Sequence, residues 1–319
     1  MLPGVQEAKR DAKMIALLAR LLRHGVAALL IAGIAACSSG SSPSSSSSKA
    51  AGTFAKDSST LVYGVVPDRA SVQQNYQPLR DYVEKISGLK VEYHEAADYT
   101  ALIEAAVAGK VDIASFSAFT YVTARNNGAK ITPFASIIVK AGQQPGYYSE
   151  AIAPAGSAVS SIAEFAGKKV CFVAPTSTSG YLFPSYTLLK AGIDPQHGIT
   201  PVFAGKHDAS ALKVSQGAEC DVGFAEDVAV EQQPGLKVIA RAMVPGEPVV
   251  VSDVLPVELK QKLADGLKSV TIEQIRAAGI PGADSDAFKA VFHAMSPVDD
   301  KYYDQIRDIC KATRAPQCQ

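Results

Sequence analysis

The sequence predicts an α/β fold built as two similar lobes. Three observations lead there. From Leu61 onward, short β-branched runs alternate with longer helical patterns. The alternation breaks at Pro154 and then starts again. And one segment, a helix end followed by Gly and a strand opening at Asp, occurs in both halves.

In the first half, Leu61–Val66 reads as a strand. Tyr76, Leu79, Val83 and Ile86 recur at helical spacing until Gly88 ends the stripe. Leu89–Tyr93 is a strand, and Tyr99–Ala108 a helix with Gly109 in the C′ position, where only glycine takes a left-handed turn without cost. Val111–Phe116 is a strand, Ala118–Asn126 a helix and Thr132–Lys140 a strand.

In the second half, Ile162–Ala166 reads as a short helix, Lys169–Val173 as a strand and Thr178–Lys190 as a helix. Ile199–Phe203 is a strand, Ala209–Gln216 a helix, and Cys220–Phe224 and Leu236–Ala240 are strands. Pro245-Gly246-Glu247-Pro248 breaks the chain before a strand at Val249–Ser252. The remainder is helical in pattern, over 256–269, 272–278, 285–295 and 299–313.

The internal likeness pairs Ala106-Val107-Ala108-Gly109-Lys110-Val111-Asp112 with Val214-Ser215-Gln216-Gly217-Ala218-Glu219-Cys220-Asp221. A common αβ turn would explain it. Two lobes facing each other would also explain it, and ligands of open parallel sheets sit beyond the C-terminal strand ends. On that reading the segments after Phe116 and Phe224 face one cleft.

The N-terminus has a different character. Lys9, Arg10, Lys13, Arg20 and Arg23 precede the apolar run 26–36, which is the order of a secretory signal. Spanning a bilayer takes ~20 apolar residues, and this run is shorter. Met14 offers an alternative start. Ile34-Ala35-Ala36-Cys37 has the aliphatic-small-small-Cys pattern of the bacterial lipobox, which marks Cys37 for lipidation. An ordinary signal with a chance cysteine is the other reading. The expected parts are a signal peptide at 1–36, a Ser-rich tether at 37–58, one lobe from 59–148 with 246–319, and a second from 149–245.

The 319-residue chain is formally neutral, with 31 basic and 31 acidic residues. The signal carries five of the bases and two of the acids, so its removal leaves a formal charge of −3. Neither value suits a nucleic-acid partner, which needs clustered Lys and Arg. A hydrophobic share of 47% excludes wholesale disorder.

Cys171, Cys220, Cys310 and Cys318 remain after Cys37, an even number that suits disulfides in an exported chain. Four cysteines allow three pairings. Cys171 with Cys220 is favoured because both lie on apolar runs that could be neighbouring strands, which leaves Cys310 with Cys318 to staple the tail. No paired CxxC is present to suggest zinc, and no metal or cofactor is expected.

Three constellations could hold a ligand. Thr176-Ser177-Thr178-Ser179-Gly180 follows a strand and opens a helix, placing hydroxyls beside unpaired N–H groups that attract an oxyanion. A capped Ser/Thr turn is the bland alternative. His207, in Gly205-Lys206-His207-Asp208, could donate to an oxyanion or be a structural loop histidine. Glu226-Asp227 could accept a proton carried on the anion, or be a solvated helix start.

Residues 60 to about 255 resemble the phosphate/phosphite/phosphonate-binding (PhnD-like) proteins of ABC importers, which are two-lobed type II periplasmic binding proteins. The resemblance rests on Gly64-Val65-Val66-Pro67, Ala97-Asp98-Tyr99, Lys110-Val111-Asp112-Ile113-Ala114, Pro145-Gly146-Tyr147-Tyr148, Ser177-Thr178-Ser179-Gly180-Tyr181-Leu182, Gly205-Lys206-His207-Asp208-Ala209-Ser210-Ala211-Leu212 and Val244-Pro245-Gly246-Glu247-Pro248. It implies a central mixed sheet in each lobe and a hinge between the lobes. It also implies that Ser177, Thr178 and Ser179 cradle a phosphorus oxyanion, that His207 donates to it, and that Tyr99 and Tyr147 reach in. Acids at Asp227 and Glu247 stand near positions that hold an organic ammonium in some relatives; Asp227 matches less cleanly, and Phe116 replaces a tyrosine.

The function so implied is not enzymatic. It is that of an extracytoplasmic, lipid-anchored, monomeric solute-binding component of an ABC importer. The ligand would be phosphate, phosphite or a small phosphonate, captured by lobe closure, and the partners an ABC permease and its ATPase. The same fold could serve a ligand sensor. A hydrolase using Ser179, His207 and Asp227 is disfavoured because no Gly-x-Ser-x-Gly elbow is present.

Overall fold

The computed structural model describes residues 52–66, 68–70 and 72–318. The expected signal peptide and Cys37 lie outside the described residues, as does most of the tether. Residues 52–58, expected in the tether, are instead bonded to the body. The Gly52 and Thr53 N–H groups donate to Val254 O, and Ala55 N–H donates to Asp112 Oδ1 at 2.7 Å. Phe54 is the physical reason: it packs against a hydrophobic core, which holds the preceding backbone down.

The first sheet has the order β11-β4-β10-β3-β1-β2. It contains β1 (Thr60–Val65), β2 (Lys90–Glu95), β3 (Ile113–Ser115), β4 (Ile131–Ile138), β10 (Pro248–Ser252) and β11 (Ala294–Pro297). The second has the order β7-β6-β8-β5-β9. Its strands are β5 (Gly146–Pro154), β6 (Lys169–Phe172), β7 (Thr200–Phe203), β8 (Val222–Glu226) and β9 (Leu236–Pro245). In each sheet three parallel strands (β2-β1-β3 and β7-β6-β8) meet an antiparallel neighbour, β10 or β5. Both sheets are therefore mixed, which matches the expected central mixed sheet in each of two lobes.

The repeated Gly-to-Asp segment has one structural job in both lobes. Asp112 N–H donates to Val62 O, and its Oδ2 accepts from Val62 N–H at 2.9 Å. Asp221 N–H likewise donates to Lys169 O, and its Oδ2 accepts from Lys169 N–H at 2.8 Å. Each aspartate joins the start of the third parallel strand to the first.

Helices cover the sheets as the periodicity predicts. α1 (Gln77–Ser87) has Pro78 in its first turn, buries Leu79 and Val83, and ends at Gly88 with φ 75°. Burying each such side chain contributes about 1.5–3 kcal/mol. α2 (Tyr99–Val107) is capped by Asp98, and α3 (Ala118–Asn126) by Ser117. α4 (Phe183–Lys190) continues a π turn, Thr178–Leu182, where a plain α-helix was expected. α5 (His207–Gln216), α7 (Val257–Leu267) and α8 (Ile272–Ala277) follow the expected stripes.

Four features depart from the expectation. β5 was not anticipated, because Tyr147-Tyr148-Ser149-Glu150 has no apolar alternation; Glu150 is buried and paired with Arg241 at 2.9 Å. The six-residue α6 (Asp227–Gln232) is too short to show a period. β9 runs on to Pro245, paired with Gly146 of β5. The helix expected over 285–295 stops after α9 (Asp286–Lys289), and Ala294–Pro297 joins the sheet edge as β11.

The chain crosses between sheets over 139–145 and at Gly246-Glu247. These crossovers lie against each other, and a Cβ on Gly246 would stand 2.3 Å from Ser136 Oγ and 2.9 Å from Gly146 N. Tyr302 bridges both: its hydroxyl donates to Pro145 O and accepts from Gly246 N–H at 3.5 Å. α10 (Asp304–Thr313) packs against α3 beside the first sheet and α4 beside the second. Tyr303, Ile306 and Ile309 lie in one core with Phe119 and Val122 on one side and Phe183 and Leu188 on the other. Disulfides join Cys171 to Cys220 and Cys310 to Cys318.

Candidate functional site

The site forms where the C-terminal ends of β1, β3, β6 and β8 converge. Ser177 caps the π turn, its Oγ accepting from Gly180 N–H at 3.1 Å. Gly180 is required there, because a Cβ would come within 2.4 Å of the Val173 side chain. The turn can thus lie against the end of β6, present Thr178 to the start of α3 in the other lobe, and direct Ser179 at His207 and Tyr147. Ser177, Thr178 and Ser179 are almost wholly buried, as are His207 and Tyr99.

The lobes are in contact across this turn. Phe119 N–H, at the start of α3, donates to Thr178 Oγ1 at 2.8 Å. Thr120 Oγ1 donates to Thr176 O at 3.0 Å. Farther along, His207 N–H donates to Asp68 O at 2.9 Å. The start of α3 and the loop after β1 thereby meet the π turn and the start of α5.

His207 is held in one protonation and one tautomer. Burial pushes its pKa down to about 4 against the attraction of Asp68, so the ring is neutral at pH 7. Glu226 N–H donates to Nδ1 at 3.0 Å, which leaves the ring proton on Nε2. Nε2 lies 3.4 Å from Ser179 Oγ, which in turn donates to the Tyr147 hydroxyl at 3.3 Å. Burial holds the Tyr147 and Tyr99 phenols well above their ordinary pKa, so both keep their protons. Hydroxyl and N–H donors without net charge therefore dominate this part of the cleft.

Two small adjoining cavities open beside them, each with room for the centres of one or two waters (about 20 Å³). Tyr99, Phe116, Ser117 and Glu247 line the first, and Tyr147, Glu226, Asp227 and Glu247 the second. The segment after Phe116 borders the first cavity and the segment after Phe224 the second, and Glu247 borders both. The hydroxyl run borders neither cavity, because the contacts between the lobes cover it.

Asp68, Arg69, Tyr76 and Glu226 were not picked out, or not separated from a neighbour, by sequence reasoning. Glu226 at the end of β8 is the deeper of the two adjacent acids and lies 2.7 Å from Arg69 Nε. Asp227 opens α6 and takes a long contact from Tyr148 N–H at 3.4 Å. One carboxylate oxygen from each of Asp68, Glu226 and Glu247 falls within 4.8 Å of the others. Burial and then the charge on Asp68 push Glu247 up to about 8. Burial raises Asp68 and Glu226 too, while Arg69 opposes both shifts. Asp68 and Arg69 directly follow the first strand of a parallel sheet, and that position was the signal available for them.

The chain is similar to several known proteins. Residues 63–303 match the family described as ABC transporter, phosphonate, periplasmic substrate-binding protein. The phosphate-import protein PhnD of Mycolicibacterium smegmatis is 35% identical over 283 residues, covering 81% of this chain and 87% of that protein. The phosphonates-binding periplasmic protein of Escherichia coli is 30% identical over 226 residues, 64% of each chain. Among solved structures, a binding-protein component of an ABC phosphonate transporter from Pseudomonas aeruginosa superposes with a TM-score of 0.69 at 25% identity, covering 81% of this chain and 87% of that one. PhnD1 of Prochlorococcus marinus, solved with methylphosphonate, has the same fold (TM-score 0.69, 20% identity, covering 81% of this chain and 99% of that one). The chain belongs to the phosphonate-binding family of periplasmic substrate-binding proteins and is the extracytoplasmic solute-binding component of an ABC importer.

Proposed function

We propose that the cleft captures a phosphorus oxyanion (phosphate, phosphite or a small phosphonate) by lobe closure. Ser177, Thr178, Ser179, His207, Tyr99 and Tyr147 are the gripping residues. The observation that carries this is the fixed tautomer of His207: a neutral ring with its proton on Nε2, directed at the Ser179 hydroxyl, which in turn meets that of Tyr147. Such a ring donates to an oxyanion. It cannot act as a base toward Ser179, because its other nitrogen already accepts an N–H, and this disfavours a Ser-His hydrolase. Closure removes water and strengthens each hydrogen bond to the anion.

The lobes are assigned as 59–148 with 246–319, and 149–245, with α10 bracing the two. Lipidation at Cys37 would tether them to the outer face of the membrane, beside an ABC permease and its ATPase. Two acyl chains suffice for a stable anchor. Calorimetry on ligand-stripped protein with phosphate, phosphite, methylphosphonate and 2-aminoethylphosphonate tests the ligand class. Binding to at least one supports it, and no heat with any of the four overturns it.

A further inference from the structure

Arg69 has a role that the anion grip does not use. Its guanidinium sits among Asp68, Glu226 and Glu247, and its side chain lines the second cavity with Tyr147, Asp227 and Glu247. Nε lies 2.7 Å from Glu226 Oε1 and 3.7 Å from Asp68 Oδ1. The Arg69 and Glu226 side chains are only 13% and 4% exposed, so water screens the pair weakly. Neither Arg69 Nε nor Glu226 Oε1 has an aligned hydrogen-bond partner among the described residues. The contact is therefore one of charge and space rather than of hydrogen-bond geometry. Acidic side chains converging on a cleft attract a cation, and here the chain supplies that cation itself, against Glu226 and Asp68.

We propose that Arg69 is a specificity-determining residue: it fills the acidic side of the cleft, so that the site accepts phosphorus oxyanions with no cationic substituent and rejects those bearing an ammonium. This rests on the ligand class proposed above and narrows it. Two effects act together. The guanidinium takes the charge complement an ammonium would need, and its stem takes the space an aminoalkyl arm would occupy. Displacing it would leave buried carboxylates unpaired, which is strongly unfavourable.

The test compares methylphosphonate with 2-aminoethylphosphonate by calorimetry on ligand-stripped protein. Wild type is expected to bind methylphosphonate at least tenfold more tightly. Arg69→Met keeps the stem but removes the charge, and should shift that ratio at least tenfold toward 2-aminoethylphosphonate. Arg69→Lys should keep the wild-type order, and adding Glu226→Gln to Arg69→Met should cancel the gain. Circular-dichroism melting checks that each variant folds, and the wild-type ratio needs no variant. Equal or tighter wild-type binding of 2-aminoethylphosphonate, or an unchanged ratio in Arg69→Met, overturns the role of Arg69 and leaves the ligand class standing. Failure of wild type to bind any phosphorus oxyanion overturns both.

Discussion

The hydroxyl of Thr178 accepts a hydrogen bond from the backbone N–H of Phe119, 2.8 Å away on the other lobe. If the proposed oxyanion grip holds, the hydroxyl proton of Thr178 would be donated to the bound anion, so one side chain would serve both closure and grip. Thr178→Val keeps the shape and removes both bonds. Affinity for the best-bound oxyanion should fall by about 1–3 kcal/mol, and Thr178→Ser should restore most of it. Unchanged affinity in the valine variant would remove Thr178 from the site.

His207 should stay uncharged across the physiological range. Its folded pKa is about 4, against an ordinary value of 6.5. Between these values the unfolded chain binds the extra proton, so stability is fully present above pH 6.5 and is lost as pH falls toward 4. His207→Gln should flatten melting temperature against pH in that window. An NMR titration placing the His207 midpoint near 6.5 would contradict the buried neutral ring.

Glu247 works in the opposite direction. Its carboxyl is raised from 4.5 to about 8, so the folded form holds a proton that the unfolded chain has lost. Stability from this group is fully present below pH 4.5 and declines as pH rises to 8. Glu247→Gln cannot ionise and should be the more stable protein at pH 8. The expected gain is on the order of 1–3 kcal/mol, below the full shift because Glu247 is only partly buried. Asp68 and Glu226 remain and slope the same way, so the wild-type trend shrinks without vanishing. Parallel urea titrations at pH 5 and pH 8 measure the difference.

Tyr302 ties the two crossovers together through one hydroxyl. Tyr302→Phe removes both bonds and leaves the ring in place. Stability should drop by about 1 kcal/mol, and the unliganded protein should have a larger radius of gyration by small-angle scattering. No change in either would mean that the crossovers are held by their backbone packing alone.

The alternation of β-branched and helical runs made the two-sheet plan legible, because those periods are local. The hydroxyl run and His207 were legible for the same reason: each lies in a short stretch at the junction of a strand and a helix. Arg69 was not, since its meaning depends on Glu226, far along the chain but 2.7 Å away in space. β5 was hidden because Glu150 and Ser149 are buried polar residues whose partners, Arg241 and Ser179 O, come from distant segments. The choice between Glu226 and Asp227 turned on where β8 ends, a one-residue question that periodicity does not resolve.

The position of α10 bears on how the protein matures. It follows every strand of both sheets in chain order, and it packs on α3 and α4, one beside each sheet. In synthesis from the N-terminus this helix emerges after every strand of both sheets, and the Cys310–Cys318 bond closes after the helix. The first lobe also waits for β10 and β11 to complete its sheet. The brace between the lobes therefore forms after both sheets are made, and a variant cut before Asp304 should hold its two lobes together more loosely.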